Sequence, residues 1–117
     1  MALNIQFIRH YCSSKRAVQE TFPFNEDVVV FKVFDKIFLL IDRNSPKVFN
    51  VKCDPEKAIA LREQYIEVKP GYHMNKKHWN TVSIEGRLTD EQLLEMIDHS
   101  YDLVVRSFPK NKTEGQS

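Results

Sequence analysis

A chain of 117 residues with 42% hydrophobic and 28% charged side chains has the size and composition of one folded domain. It is too short for two cores and too apolar to be disordered throughout. A formal net charge of +1 excludes a global electrostatic pull toward nucleic acid or acidic membranes.

Charge is nevertheless polarised along the chain. Residues 1–42 balance, residues 43–77 carry eight basic against four acidic side chains, and residues 78–117 carry four against seven. The apolar stretch from Val28 to Ile41 is broken by Lys32, Asp35 and Lys36, so no run approaches the roughly 18 residues of a membrane-crossing helix. The opening Met-Ala-Leu-Asn lacks a basic start followed by an apolar run. A cytoplasmic protein without a secretory signal or membrane partner is the expectation.

In chain order, Asn4 predicts the cap of a first helix whose Ile5, Ile8, Tyr11 and Cys12 share one face, fading near Ser13-Ser14. Thr21 to Asn25 reads as a rigid connector around Pro23. Val28–Phe34 and Ile37–Ile41 are β-branched and aromatic runs split by Asp35-Lys36, a hairpin signal. Both faces of these strands are apolar, which predicts a sheet covered on both sides. A loop from Arg43 to Pro46 leads to a third strand, Val48–Lys52.

Asp54-Pro55-Glu56 is a helix start: an acid at the cap, proline in the first turn and a second acid at the positive dipole end. This helix should reach about Gln64 and bury Ala58, Ile59 and Leu61. A short strand, Ile66–Val68, precedes the Pro70-Gly71 turn, and Tyr72 to His78 is irregular by pattern. Trp79–Ile84 reads as a strand whose alternation separates Trp79, Thr81 and Ser83 from Val82 and Ile84. After Glu85-Gly86, Thr89 and Gln92 form a capping box. The last helix then presents Leu93, Leu94, Ile97, Tyr101, Val104, Val105 and Phe108 on one stripe, and Pro109 stops it. The expected order is helix, three strands, helix, two short strands, helix. This is an α+β domain with an antiparallel sheet over residues 1–109 and a polar tail over 110–117.

Few residues assemble into chemistry. Cys12 and Cys53 stand 41 positions apart with no partner pair, which is no zinc signature, and both are expected reduced. Ser83, Asp98, His99 and Ser100 are of catalytic types, but no spacing links them. Gly71, Gly86 and Gly115 are the chain's three glycines and form no phosphate loop. No enzyme activity, metal or cofactor is expected.

The unusual stretch is Lys69-Pro70-Gly71-Tyr72-His73-Met74-Asn75-Lys76-Lys77-His78-Trp79-Asn80. His73 and His78, five apart, are not a one-turn helical ligand pair. Lysines suit phosphates, amides suit base edges, and Tyr, His and Trp offer planes for stacking. The competing readings are a core tryptophan with a solvated lysine rim, and a pocket wall for a small ligand or protein partner.

The same residues resemble the MmcQ/YjbR family. The resemblance is carried by Phe22-Pro23-Phe24, Lys52-Cys53-Asp54-Pro55-Glu56, Ala60-Leu61-Arg62, the block from Pro70 to Val82, and His99 to Val104, and it spans roughly residues 5–109. It implies a CyaY-like fold, described as a double wing: two β-hairpins flanking a helix to form a surface suited to DNA. Many members carry Gly-Gly-Lys in the first hairpin. Here Phe34-Asp35-Lys36 puts an acid at that tip, which opposes phosphate contact. The combined reading is a DNA-binding domain that makes mainly phosphate contacts. Lys69, Lys76 and Lys77 are the phosphate partners, His73 and Asn75 the polar readers, and Tyr72 and Trp79 the stacking or supporting aromatics. The alternative is a protein-interaction or small-ligand module using the same loop.

Overall fold

The computed structural model describes residues 3–71 and 75–107. The elements are α1 (Ile5–Ser13), β1 (Val18–Thr21), β2 (Val28–Val33), β3 (Lys36–Asp42), β4 (Val48–Lys52), α2 (Pro55–Gln64), β5 (Val68–Pro70), β6 (Trp79–Ser83) and α3 (Asp90–Ser107). They build an α+β fold around one antiparallel sheet of order β1-β2-β3-β4-β6-β5. The one swap, β6 between β4 and β5, brings the unusual stretch into the sheet beside β4.

The predicted helix starts hold. Asn4 Oδ1 accepts the Phe7 N–H at 2.8 Å, and Asp54 Oδ2 accepts that of Lys57 at 3.2 Å. Thr89 and Gln92 cap reciprocally at 2.8 and 3.1 Å. The three helices lie together on one face of the sheet. Tyr11 of α1 donates to Asp98 of α3 at 2.8 Å, and Gln92 of α3 donates to the Tyr65 hydroxyl at the end of α2 at 2.9 Å. Beneath them Ile8, Cys12, Phe31, Phe38, Phe49, Val82, Leu93 and Ile97 form a single core. The buried Ser100 hydroxyl joins α3 to two strands, donating to the Phe38 carbonyl and accepting the Lys52 N–H at 2.8 Å.

Several expectations need correction. Among the described residues, helices cover one face of the sheet only. On the other, Val30 and Leu40 are buried, paired directly across β2 and β3, while Val28, Lys32, Ile37, Asn50 and Thr81 around them stay partly exposed. The hairpin turn is Phe34-Asp35, not Asp35-Lys36: both adopt positive φ, 52° and 65°, the geometry whose twist suits a two-residue hairpin. A bulge between Phe31 and Lys32 in the pairing lets Phe38 as well as Leu39 enter the core. β1 had no sequence signal; it pairs with β2 as an edge strand and takes in Thr21 from the expected connector. Ile59 is 56% exposed rather than buried, because α2 turns Ala58 and Arg62 toward the sheet. β5 lies two residues later than expected, and β6 ends at Ser83. The expectations for Phe108, Pro109 and the tail concern residues outside those described.

Both thiols are free and buried. Burial pushes Cys12 up to about 12 and also raises Cys53, so neither carries much reactive thiolate at neutral pH. No helix among the described residues is long and apolar enough to cross a membrane.

Candidate nucleic-acid interface

The turn at residues 75–78 is built by one side chain and one helix. Asn75 Oδ1 accepts the Lys77 N–H at 2.9 Å, and its carbonyl accepts the N–H groups of His78 and Trp79 at 3.2 and 3.0 Å. Asparagine forms such turns because its side-chain carbonyl mimics a backbone acceptor. Arg62, on the sheet side of α2, then holds the turn from behind. Its Nε donates to Asn80 Oδ1 at 2.8 Å, and one terminal nitrogen donates to the carbonyls of Trp79, at 3.1 Å, and Lys76. Asn80 is 1% exposed, so this guanidinium satisfies a buried polar group while fixing the loop.

Lys76 and Lys77 are consequently exposed on a short, well-anchored turn. Trp79 follows as the first residue of β6. Gly71 N donates to the Trp79 carbonyl at 2.8 Å, and a Cβ at Gly71 would lie 2.9 Å from the Trp79 Cβ. That close approach is the reason for a glycine there.

Strand pairing sets what shares a face with Trp79. Val82 enters the core, so alternation sends Trp79, Thr81 and Ser83 to the uncovered face, as the sequence pattern indicated. Lys52 lies directly opposite Trp79, and Asn50 opposite Thr81. Lys69 flanks Thr81 on the other side. The Thr81 hydroxyl donates to Asn50 Oδ1 at 2.6 Å. Farther across the sheet Lys32 occupies the same face, opposite Ile37.

Of the sequence-predicted site residues, the structure gathers Lys69, Asn75, Lys76, Lys77 and Trp79 at one end of the open face. Asn75 serves chiefly to shape the turn. Tyr72 and His73 lie outside the described residues. Sequence reasoning missed Asn50, Lys52 and Lys32 as members of this surface, and Arg62 as the anchor behind it. Arg62 had a faint signal, lying one helical turn beyond the buried Ala58 and thus on the same face.

Farther along β6 from Trp79, and reaching back to Lys69 and Thr81, lies an open depression of about 380 Å³ also lined by Val48, Glu67 and Ser83. Glu67 is tucked beneath the Gly86 turn, its Oε2 accepting the Arg87 N–H at 2.8 Å. That bond is the first cause holding its carboxyl below the ordinary range. Gly86 has φ +129°, and a Cβ there would fall 2.3 Å from Glu67 Oε2. The face is therefore basic toward Trp79 and acidic toward Glu67 and Glu85.

The residues of catalytic type are engaged separately. Ser83 exchanges hydrogen bonds with Glu85. Asp98 pairs with Lys15 at 2.6 Å, and Lys15 sits 4.9 Å above both the Tyr11 and Tyr101 rings. His99 Nε2 accepts the Asp54 N–H at 3.2 Å.

The sequence profile of YjbR matches residues 13–103. The Escherichia coli protein YjbR, described as uncharacterised, is 33% identical over 112 residues, covering 94% of each chain. Another uncharacterised Escherichia coli protein, YbdF, is 39% identical over 95 residues, 80% of this chain and 77% of its own. Among solved structures, the Deinococcus radiodurans protein DR2400, with a DUF419 domain, superposes with a TM-score of 0.86 at 36% identity, covering 95% of this chain and 86% of that one. A Pseudomonas syringae protein gives 0.73 at 28% identity, covering 87% of this chain and 99% of its own.

Proposed function

This chain belongs to the YjbR family, and we propose that within that fold it is a non-enzymatic, cytoplasmic nucleic-acid-binding module whose affinity comes mainly from phosphate contacts. One observation carries the reading: the exposed Lys76-Lys77 turn, pinned by Arg62, adjoins an uncovered sheet face bearing Lys52, Lys69 and Trp79. Anchored lysines lose less freedom on binding than lysines on a loose loop. An uncovered face with cations and an aromatic ring has the residue types that backbone contact and stacking require. In a double-wing docking the β2–β3 hairpin would share the contact. Its exposed tip carries Asp35, and the hairpin is built into the middle of the sheet, so the contact is assigned to residues 69–79.

A salt titration tests this. Three phosphate-neutralising lysines predict a log–log slope of about −2 to −3 on duplex DNA. Replacing Lys76 and Lys77 together by alanine should reduce that slope by nearly two with the fold intact. Absence of binding to DNA or RNA at about 50 mM salt, or a double variant that binds as well as the parent, would overturn the reading.

The depression beside Glu67 favours a second reading, a small-ligand site. Its volume falls at the low end of the range for such pockets. A ligand there would be recognised through Lys69, Thr81 and Ser83, and its binding would be insensitive to the Lys76/Lys77 double substitution.

A further inference from the structure

We propose that the uncovered sheet face binds single-stranded nucleic acid in preference to duplex, stacking one base on Trp79 and donating from the Asn50 amide to a base acceptor. This rests on the nucleic-acid reading above and names its substrate class.

The first argument is shape. A duplex groove admits a helix or a two-stranded ribbon. The basic end of this face is instead three strands wide (β4, β6 and β5), about 10 Å across at ordinary strand spacing, with the helices behind it. The β2–β3 hairpin is flanked by β1 and β4 within the sheet and carries Asp35 at its tip, so it is poorly suited to enter a groove. A duplex could therefore meet this face only through its phosphates. An unpaired strand can lie flat on it and present base faces and base edges.

The second argument is preorganised polarity. Asn50 Oδ1 is taken by the Thr81 hydroxyl at 2.6 Å. That bond turns the amide nitrogen away, and among the described residues no buried side-chain nitrogen lacks a partner, so the Asn50 N–H donors face solvent. Two oriented donors match a base carbonyl or ring nitrogen and, being uncharged, add nothing to the salt dependence. Asn50, opposite Thr81, belongs to the next pair on this face after Lys52–Trp79, two residues along each strand. At about 3.3 Å per residue this is roughly 7 Å, a spacing that lets adjacent nucleotides engage the ring and the amide.

The third argument is the setting of the ring. Trp79 is half-buried at the start of β6, with Lys52 opposite it on β4 and Gly71, which has no side chain, bonded to its carbonyl. The Trp79 backbone is fixed by Gly71, Arg62 and Asn75, so the ring is presented from a rigid base.

The test compares a labelled oligothymidine of about 15 nucleotides with the same strand annealed to its complement, both at about 50 mM salt, using the full chain. The single strand should bind at least tenfold tighter and change the fluorescence of Trp79, the chain's one tryptophan. Asn50→Ala should weaken single-strand binding about fivefold without altering the salt slope, because no charge is removed. Trp79→Ala should weaken it about 5- to 100-fold, as for loss of one stacked base, and Trp79→Phe should recover most of that loss. Duplex binding as tight as single-strand binding by the unmodified protein would overturn this inference and leave the nucleic-acid reading standing. Single-strand binding with unchanged fluorescence and an unaffected Asn50→Ala variant would also overturn it. Absence of binding to either form would remove both. The strand preference is read on the unmodified chain, so it stands even if a variant fails to fold.

Discussion

The two faces of β4 divide the molecule's physics between them. Phe49 and Val51 point beneath α3 and are almost fully buried. Val48, Asn50 and Lys52 point the other way and remain partly exposed. On the covered face, side chains are apolar and close-packed, and their identity is dictated by volume. On the open face, around Asn50 and Lys52 and away from the Val30–Leu40 pair, they are mostly polar, cationic or aromatic, and packing dictates less of their chemistry. One five-residue strand thus carries a stability surface and a recognition surface in alternate positions. The lesson is that substitutions two atoms of backbone apart should have different kinds of consequence.

The largest expected effect comes from testing that division within the strand. Phe49→Ala removes a fully buried ring and should cost about 3–5 kcal/mol, measured as a fall in the urea midpoint. Asn50→Ala breaks one partly buried hydrogen bond to Thr81 and should cost about 1 kcal/mol. Comparable losses from the two would mean that the open face is not free of packing constraint.

Gly86→Ala sharpens the comparison, because it places a rigid requirement on the exposed side. The residue has φ +129° and would drive its Cβ into the Glu67 carboxylate. A cost of about 2–3 kcal/mol is expected from backbone strain of this kind. Circular dichroism melting of the variant beside Glu85→Ala, an exposed neighbour expected to change stability by less than about 0.5 kcal/mol, separates the glycine requirement from general turn sensitivity.

Arg62 joins the two regions and should move both readouts. Arg62→Ala strands Asn80 Oδ1 and the Lys76 carbonyl and leaves the Trp79 carbonyl with Gly71 as its donor, for an expected loss of about 2 kcal/mol. Nucleic-acid affinity should fall with it, since the Lys76-Lys77 turn loses its anchor. Arg62→Lys should recover little, because a single ammonium cannot reproduce the forked contacts of Nε and a terminal nitrogen. Full recovery by lysine would reduce Arg62 to a source of charge.

How much of this was legible in the sequence follows the same division. α3 was plain, since its apolar stripe repeats at helical spacing and Thr89 with Gln92 closes a capping box. The start of α2 was equally plain from Asp54-Pro55-Glu56, yet its orientation was not. Hydropathy favours burying Ile59, whereas the fold exposes it and turns Arg62 inward to satisfy Asn80, a partner 18 residues away. β1 was illegible because Val-Gln-Glu-Thr has no apolar alternation and exists as a strand by pairing with β2. Lys69, Lys76, Lys77 and Trp79 stood out as types within one loop. Asn50 and Lys52 did not, because only the non-local β4–β6 ladder carries them to Trp79 and Thr81.

The smallest expected effect tests where the covered region ends. His99 lies on α3 at the start of α2, its Nε2 accepting the Asp54 N–H at 3.2 Å. Burial first, then Lys57, with Arg106 adding to them, holds its imidazole below the ordinary range against the opposing pull of Asp54 and Asp102. The folded protein therefore prefers the neutral ring, while the unfolded chain takes up its proton near pH 6.5. This group's contribution is fully present above that pH. It is lost as pH falls toward the lower folded value, where both states are protonated and the loss stops growing. Urea midpoints measured from about pH 7.5 down to pH 5 should show this decline in the parent. His99→Gln offers an acceptor to Asp54 but does not titrate, so the decline should flatten while nucleic-acid binding at pH 7.5 stays unchanged. An undiminished slope in that variant would place the acid sensitivity elsewhere and put His99 on the solvated side of the boundary.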